Sequence, residues 1–145
     1  MTIATFLTAD GRDDAGRTHA DILAADNRFL ESRHDFIQWL FPLQEPSRAV
    51  PGSPVLDRAT IAALRISPAA QERLGAAAER MLAFYGATSA WRTAFDHNHL
   101  RITRVIKSLR LLAGDTAAED FKRRILALAG GAPIDARARD FWNAA

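Results

Sequence analysis

Three stretches of the C-terminal half carry apolar residues at helical spacing, and they restrict the chain to a helical fold more firmly than any other feature. In "SPAAQERLGAAAERMLAFYG" (67–86), Leu74, Ala77, Ala78, Met81, Leu82 and Tyr85 fall on one stripe. Ser67 is placed to cap the helix, Pro68 suits its first position, and Gly86 stands where a C-terminal glycine belongs. In "NHLRITRVIKSLRLLAG" (98–114), Ile102, Val105, Ile106, Leu109, Leu112 and Ala113 share a face, with Asn98 as the cap and Gly114 as the stop. In "DTAAEDFKRRILALAGG", residues Thr116 to Glu119 spell a capping box.

The N-terminal half adds shorter helices. One opens at Thr18 and runs through Ile22 and Leu23. A second is expected over "LESRHDFIQWLF" (30–41), stopped by Pro42, and a third from about Asp57 to Leu64. "DARARDFWNAA" supplies a last one. No alternating β-branched run and no Asn-Gly or Asp-Gly hairpin turn argues for a sheet. "GRDDAGR" (11–17) is a polar turn whose aspartates suit local Asx-turns. Residues 42–54, with four prolines and a glycine, run irregularly over the surface. The expected fold class is all-α: a single compact domain over residues 1–145, with about five to seven helices and no significant sheet.

Composition removes several function classes. Hydrophobic residues make up 48% and charged residues 25%, as in a globular chain rather than a disordered one. Without cysteine there is neither a disulfide framework nor a thiolate site. No apolar run reaches the roughly 18 residues of a membrane span, so no membrane insertion is expected. "MTIATFLTAD" lacks the basic start of a secretory signal, and a cytoplasmic location is the expectation. The net charge is only +2. It is unevenly spread: residues 1–60 hold nine acids and six bases, residues 61–145 eight acids and thirteen bases. The simplest consequence is attraction between the halves, with a basic docking face as the alternative.

Two dense stretches carry the candidate site. On a helical wheel "HDFIQWLFP" (34–42) shows a wide apolar arc containing Trp39 and Phe41. His34 and Gln38, four residues apart, stack on its border. His34 and Asp35, being adjacent, point about 100° apart and do not form a catalytic pair. In "HNHLRITR" (97–104), His97 and His99 diverge by about 200° at a helix start, unlike chelating i,i+4 pairs, and no metal site is assigned. Arg101 lies at a polar–apolar boundary suited to a buried oxygen acceptor. The expected ligand-binding residues are therefore His34, Gln38, Trp39, Phe41, Asn98 and Arg101. His34 is expected to meet Gln38 or a polar group from the second stretch. Arg104, Lys107 and Arg110 continue a basic row that forms an anion-binding face, with weak, nonspecific nucleic-acid affinity. Phosphate-loop, Gly-x-Ser-x-Gly, His-Glu-x-x-His and dinucleotide patterns are all missing, and no cofactor or catalytic residue is assigned.

Taken together, "HDFIQWLFPL", "MLAFYG" and "HNHLRITRVIKSL" resemble the conserved region of the opioid growth factor receptor family. Phe36 stands where that pattern has tyrosine, and His99 fills a variable place. Weaker similarity at "GRDDAGRTHADIL" extends the likeness to most of the chain. Ala49, Val50, Gly52 and Ser53 depart from the Asn-rich loop of the pattern. The resemblance implies a short, bacterial-type member without the long C-terminal extensions of animal members, which are described as nuclear-associated receptors for the peptide Met-enkephalin. It implies a domain and no particular reaction; a binding or interaction domain for a peptide or small molecule is the first expectation, and an enzyme using His34, His97 or His99 the least expected. A nucleic-acid or anionic-partner module working through the basic row is the alternative.

Overall fold

The computed structural model describes residues 2–145, which form two compact units divided between residues 77 and 78, inside one long helix. In the first unit, α1 (Ile3–Thr8), α2 (His19–Ala24), α3 (Asn27–Ser32), α4 (Ile37–Leu40) and α5 (Arg58–Arg65) precede the start of α6 (Pro68–Ala87). Helices of four to eight residues do not persist alone in water, so their ends and their buried faces must hold them. The sequence supplies the ends. The side chains of Thr2, Thr18, Asp26 and Asp57 accept from the backbone N–H groups of Thr5, Asp21, Phe29 and Thr60. At Thr18 the cap is reciprocal, because Asp21 reaches back to the Thr18 N–H.

The buried faces join Phe6, Leu7, Ile22, Leu30, Phe36, Trp39, Leu40, Phe41 and Leu64. Phe6 meets Trp39 edge-on at 5.3 Å and His19 at 5.6 Å. The Arg73 guanidinium, on the first turns of α6, donates to the carbonyls of Phe6 and Ala9 and so closes the C-terminal end of α1. Gly11 is obligatory for a different reason: a Cβ there would lie 2.4 Å from the Phe6 backbone nitrogen.

The second unit holds the remainder of α6, then α7 (Asn98–Leu112), α8 (Asp115–Ala129) and α9 (Ala136–Ala144). α7 packs against both α8 and α9. Its apolar face is the one read from the sequence: Ile102, Val105, Ile106, Leu109 and Leu112 are buried among Phe84, Tyr85, Trp91, Phe121, Ile125 and Trp142. Gly114, at φ 103°, ends α7 and starts α8 in one residue.

The fold is mostly helical, with only the isolated bridges Arg12–Thr18 and Leu43–Val55 outside helices among the described residues. Among the described residues nine helices stand where five to seven were expected. One extra is α1, whose apolar pattern is too short to read. The other arises because residues 33–36 leave the helix expected over 30–41. Three ends also differ. Gly86 lies inside α6, which runs one residue further. Asn98 is the first residue of α7 rather than its cap: the cap position is His97, which makes no side-chain cap bond, and Asp96 accepts from the Asn98 N–H at 2.9 Å. The Thr116–Glu119 box does not form, since α8 already begins at Asp115 and Glu119 turns to Lys122 at 2.8 Å. No helix among the described residues is long and apolar enough to cross a membrane.

Candidate functional site

In the first unit the "GRDDAGR" turn is built around a buried charge. The Asp13 side chain is fully buried and accepts from the N–H groups of Ala15 and Arg17 and from Arg17 Nε at 2.7 Å. Arg17 then reaches 18 residues along the chain. Its Nη2 donates to Asp35 Oδ1 at 3.0 Å and to the Asp35 carbonyl at 3.4 Å, and its guanidinium lies 5.4 Å from the Phe29 ring centre.

This long-range bond accounts for the broken helix. The Asp35 carbonyl serves Arg17 instead of a helical N–H. The backbone ladder restarts only at Phe36, whose carbonyl accepts from Trp39 and Leu40. The expected stacking of His34 on Gln38 is lost with the helix. His34 is exposed in the irregular segment, whereas Gln38, Trp39 and Phe41 are buried. Gln38 Oε1 is sealed with no hydrogen-bond partner among the described residues. Nearby in the same unit, His19 is buried beside Arg73. Burial first, and the Arg73 charge second, lower its pKa from 6.5 to about 4, so it is neutral at pH 7.

In the second unit the start of α7 carries the polar groups. Asp96 Oδ1 receives both the Asn98 N–H and its side-chain amide at 2.9 Å. Asn98 Oδ1, fully buried, accepts from the Tyr85 hydroxyl and from Arg101 Nη1, each at 3.3 Å. The structure thus brings Asn98 and Arg101 together and places both below the surface. Their neighbours face outward. Ala94, Phe95, Asp96, His97, His99, Leu100 and Thr103 line one side of a groove of about 570 Å³, and Asp135, Arg137, Ala138 and Phe141 line the other. Among the described residues five large apolar side chains are exposed, and three of them, Phe95, Leu100 and Phe141, belong to this groove. Such a concentration marks an interaction surface more often than single exposed residues do.

His99 and Phe141 are not among the residues that the sequence patterns select. Leu100 carries a readable signal, since it is a large apolar residue off the buried stripe of its own helix. Phe95 and Phe141 become neighbours only through the packing of α7 and α9.

The basic row is largely committed within its own unit. Lys107 is exposed, but Arg104 and Arg110 are half-buried. Arg110 pairs with Asp115 at 3.0 Å and Glu119 at 3.6 Å and donates to the Ala145 carbonyl. Lys122 pairs with Glu119, Arg123 with Asp120, and Arg124 with Glu79 and Asp120. Its hydrogen bond to Arg124, ahead of the accompanying charge, lowers the Glu79 pKa. These partners lie in the C-terminal half, not in the acidic N-terminal half that the charge distribution suggested.

Residues 19–94 match the family model described as the opioid growth factor receptor conserved region. Among curated proteins the chain is similar to the opioid growth factor receptors of Homo sapiens, Mus musculus and Rattus norvegicus. The identities are 36%, 38% and 40% over 114, 98 and 98 residues, covering 64%, 55% and 55% of this chain. It covers only 16%, 15% and 17% of those proteins' own lengths. The relatives are mammalian, and nothing in them supports the bacterial-type expectation. No solved structure matches the chain. The groove, beginning at Ala94, lies almost wholly beyond the residues that the family model matches.

Proposed function

This chain belongs to the opioid growth factor receptor conserved-region family, and from that premise we propose that it is a binding domain for a peptide or small molecule, with the groove of the second unit as its recognition surface. The observation that carries this reading is the gathering of Phe95, Leu100 and Phe141 around one concavity. Asn98 and Arg101, buried beneath its rim, hold the first turn of α7 in place. Trp39, Phe41 and Gln38 act in this reading as supports within the first unit, and His34 offers that unit an exposed imidazole.

The relatives are named receptors for an opioid growth factor, and that makes an opioid growth factor the first peptide to try. The groove falls outside the matched stretch, so its ligand need not be theirs. The ion pairs of Arg110, Lys122, Arg123 and Arg124 weigh against a nucleic-acid face, since each neutralises a charge that such a face would use.

The test is a fragment and peptide screen followed by NMR on the whole chain. Signals of Phe95, Leu100 and Phe141 should move together, and Leu100→Ser, at an exposed position, should weaken every hit without unfolding the protein. Ligands that leave those three signals unmoved would contradict the assignment of the groove.

A further inference from the structure

Resting on the binding reading above, we propose that the groove is built for an aromatic group bearing a single N–H donor, an indole, whose N–H bonds to Nδ1 of His99. His99 Nε2 lies 2.7 Å from the Trp91 carbonyl oxygen. A carbonyl oxygen only accepts, so Nε2 carries a hydrogen, and in the neutral form of the ring the bare lone pair is therefore on Nδ1.

The ring is held firmly. Trp142 stands edge-on to it at 5.7 Å and 82°, and the Trp142 indole N–H donates to the His99 carbonyl at 3.1 Å. The Thr103 hydroxyl donates to the same carbonyl at 3.2 Å. His99 is only 6% exposed. Its Nδ1 meets no donor among the described residues, yet it is not among the sealed polar atoms, and the residue lines the groove. A preorganised acceptor therefore opens into an apolar concavity.

The rest of the lining selects the same chemistry. Phe95, Leu100 and Phe141 offer apolar and aromatic surface suited to a flat ring. Asp96 and Asp135 contribute carboxylates, and the Thr103 proton is already spent. Arg137, the one guanidinium of the lining, lies 5.8 Å from the Phe141 ring centre. His99 Nδ1 and the two carboxylates are matched by a ligand donor, and the indole N–H is such a donor carried on a large apolar body. An indole has one N–H, no acceptor and a large apolar body. At about 570 Å³ the groove has room for it and for flanking atoms.

The experiment titrates the full chain with indole, 1-methylindole and N-acetyltryptophanamide. It follows the ring nitrogens of His99 and the signals of Phe95, Leu100 and Phe141. Indole should shift Nδ1 and bind about three- to ten-fold more tightly than 1-methylindole, the effect of one hydrogen bond. Tighter binding of N-acetyltryptophanamide than of indole assigns the group to a tryptophan of a protein segment, and the reverse assigns it to a free small molecule. Equal affinities for indole and 1-methylindole with an unmoved Nδ1 would overturn this inference while leaving the groove a binding surface. If none of the three rings disturbs the groove, this inference falls, while the binding reading is decided by the fragment and peptide screen.

Discussion

The stretches "HDFIQWLFP" and "HNHLRITR" look alike in sequence and are spent in opposite ways. Each sets a histidine among polar and apolar neighbours. In the first, the aromatic residues are buried and the histidine is left outside, because Arg17 draws the Asp35 backbone out of the helix. In the second, the helix persists, His99 is buried under Trp142, and Leu100 is left outside. A long-range salt bridge decides which side chain faces solvent in one case, and helical phase decides it in the other. A histidine's exposure therefore cannot be assigned from its local neighbours until the backbone is known.

The largest expected effects probe what the first stretch holds together. Trp39→Ala removes a buried ring in edge contact with Phe6 and should cost about 3–5 kcal/mol in urea unfolding. A loss below about 1 kcal/mol would show that the tryptophan is peripheral. Asp13→Ala leaves the Arg17 guanidinium without its buried partner, and a loss of about 3–5 kcal/mol is expected. Circular dichroism of that variant should also show whether residues 33–36 become helical once Arg17 is loosened.

A smaller effect concerns His19. Its folded pKa, about 4, lies below the ordinary 6.5, so the fold favours the neutral ring. Between those values the unfolded chain binds more protons. Stability is full above pH 6.5 and declines as the pH falls towards about 4, by at most about 3 kcal/mol. His19→Gln should flatten that part of the stability–pH curve. An unchanged slope would show that His19 does not carry the acid sensitivity. Smallest of all, His34→Ala should lie within about 0.5 kcal/mol of the parent, because the side chain is exposed. A loss above about 1.5 kcal/mol would erase the contrast between the two stretches.

What the sequence made legible follows the range of the interactions involved. The apolar stripes of α6 and α7, the helix starts at Thr18 and near Asp57 and the Gly114 stop are set by residues within a turn or two, and all stand as read. The break at residues 33–36 depends on Arg17, eighteen residues from Asp35, and no local periodicity contains it. Asn98 has the composition of a cap, but it is the first residue of α7, its N–H and side-chain NH2 both donate to Asp96, and its Oδ1 is buried with Tyr85 and Arg101. The groove was harder still to foresee. Leu100 could be singled out as apolar and off the stripe, but only the packing of α7 and α9 sets Phe141 opposite it.

The contrast between the two histidines can be measured directly in the ring-nitrogen NMR spectrum of the ligand-free chain near neutral pH. The structure requires that His99 carry a hydrogen on Nε2, protected from exchange by the Trp91 carbonyl, so that in the neutral ring Nδ1 is the bare nitrogen, while the ring of His34 lies exposed to water. A His99 ring protonated on Nδ1 instead, or exchanging as fast as that of His34, would contradict both the burial of the second histidine and the acceptor on which the groove depends.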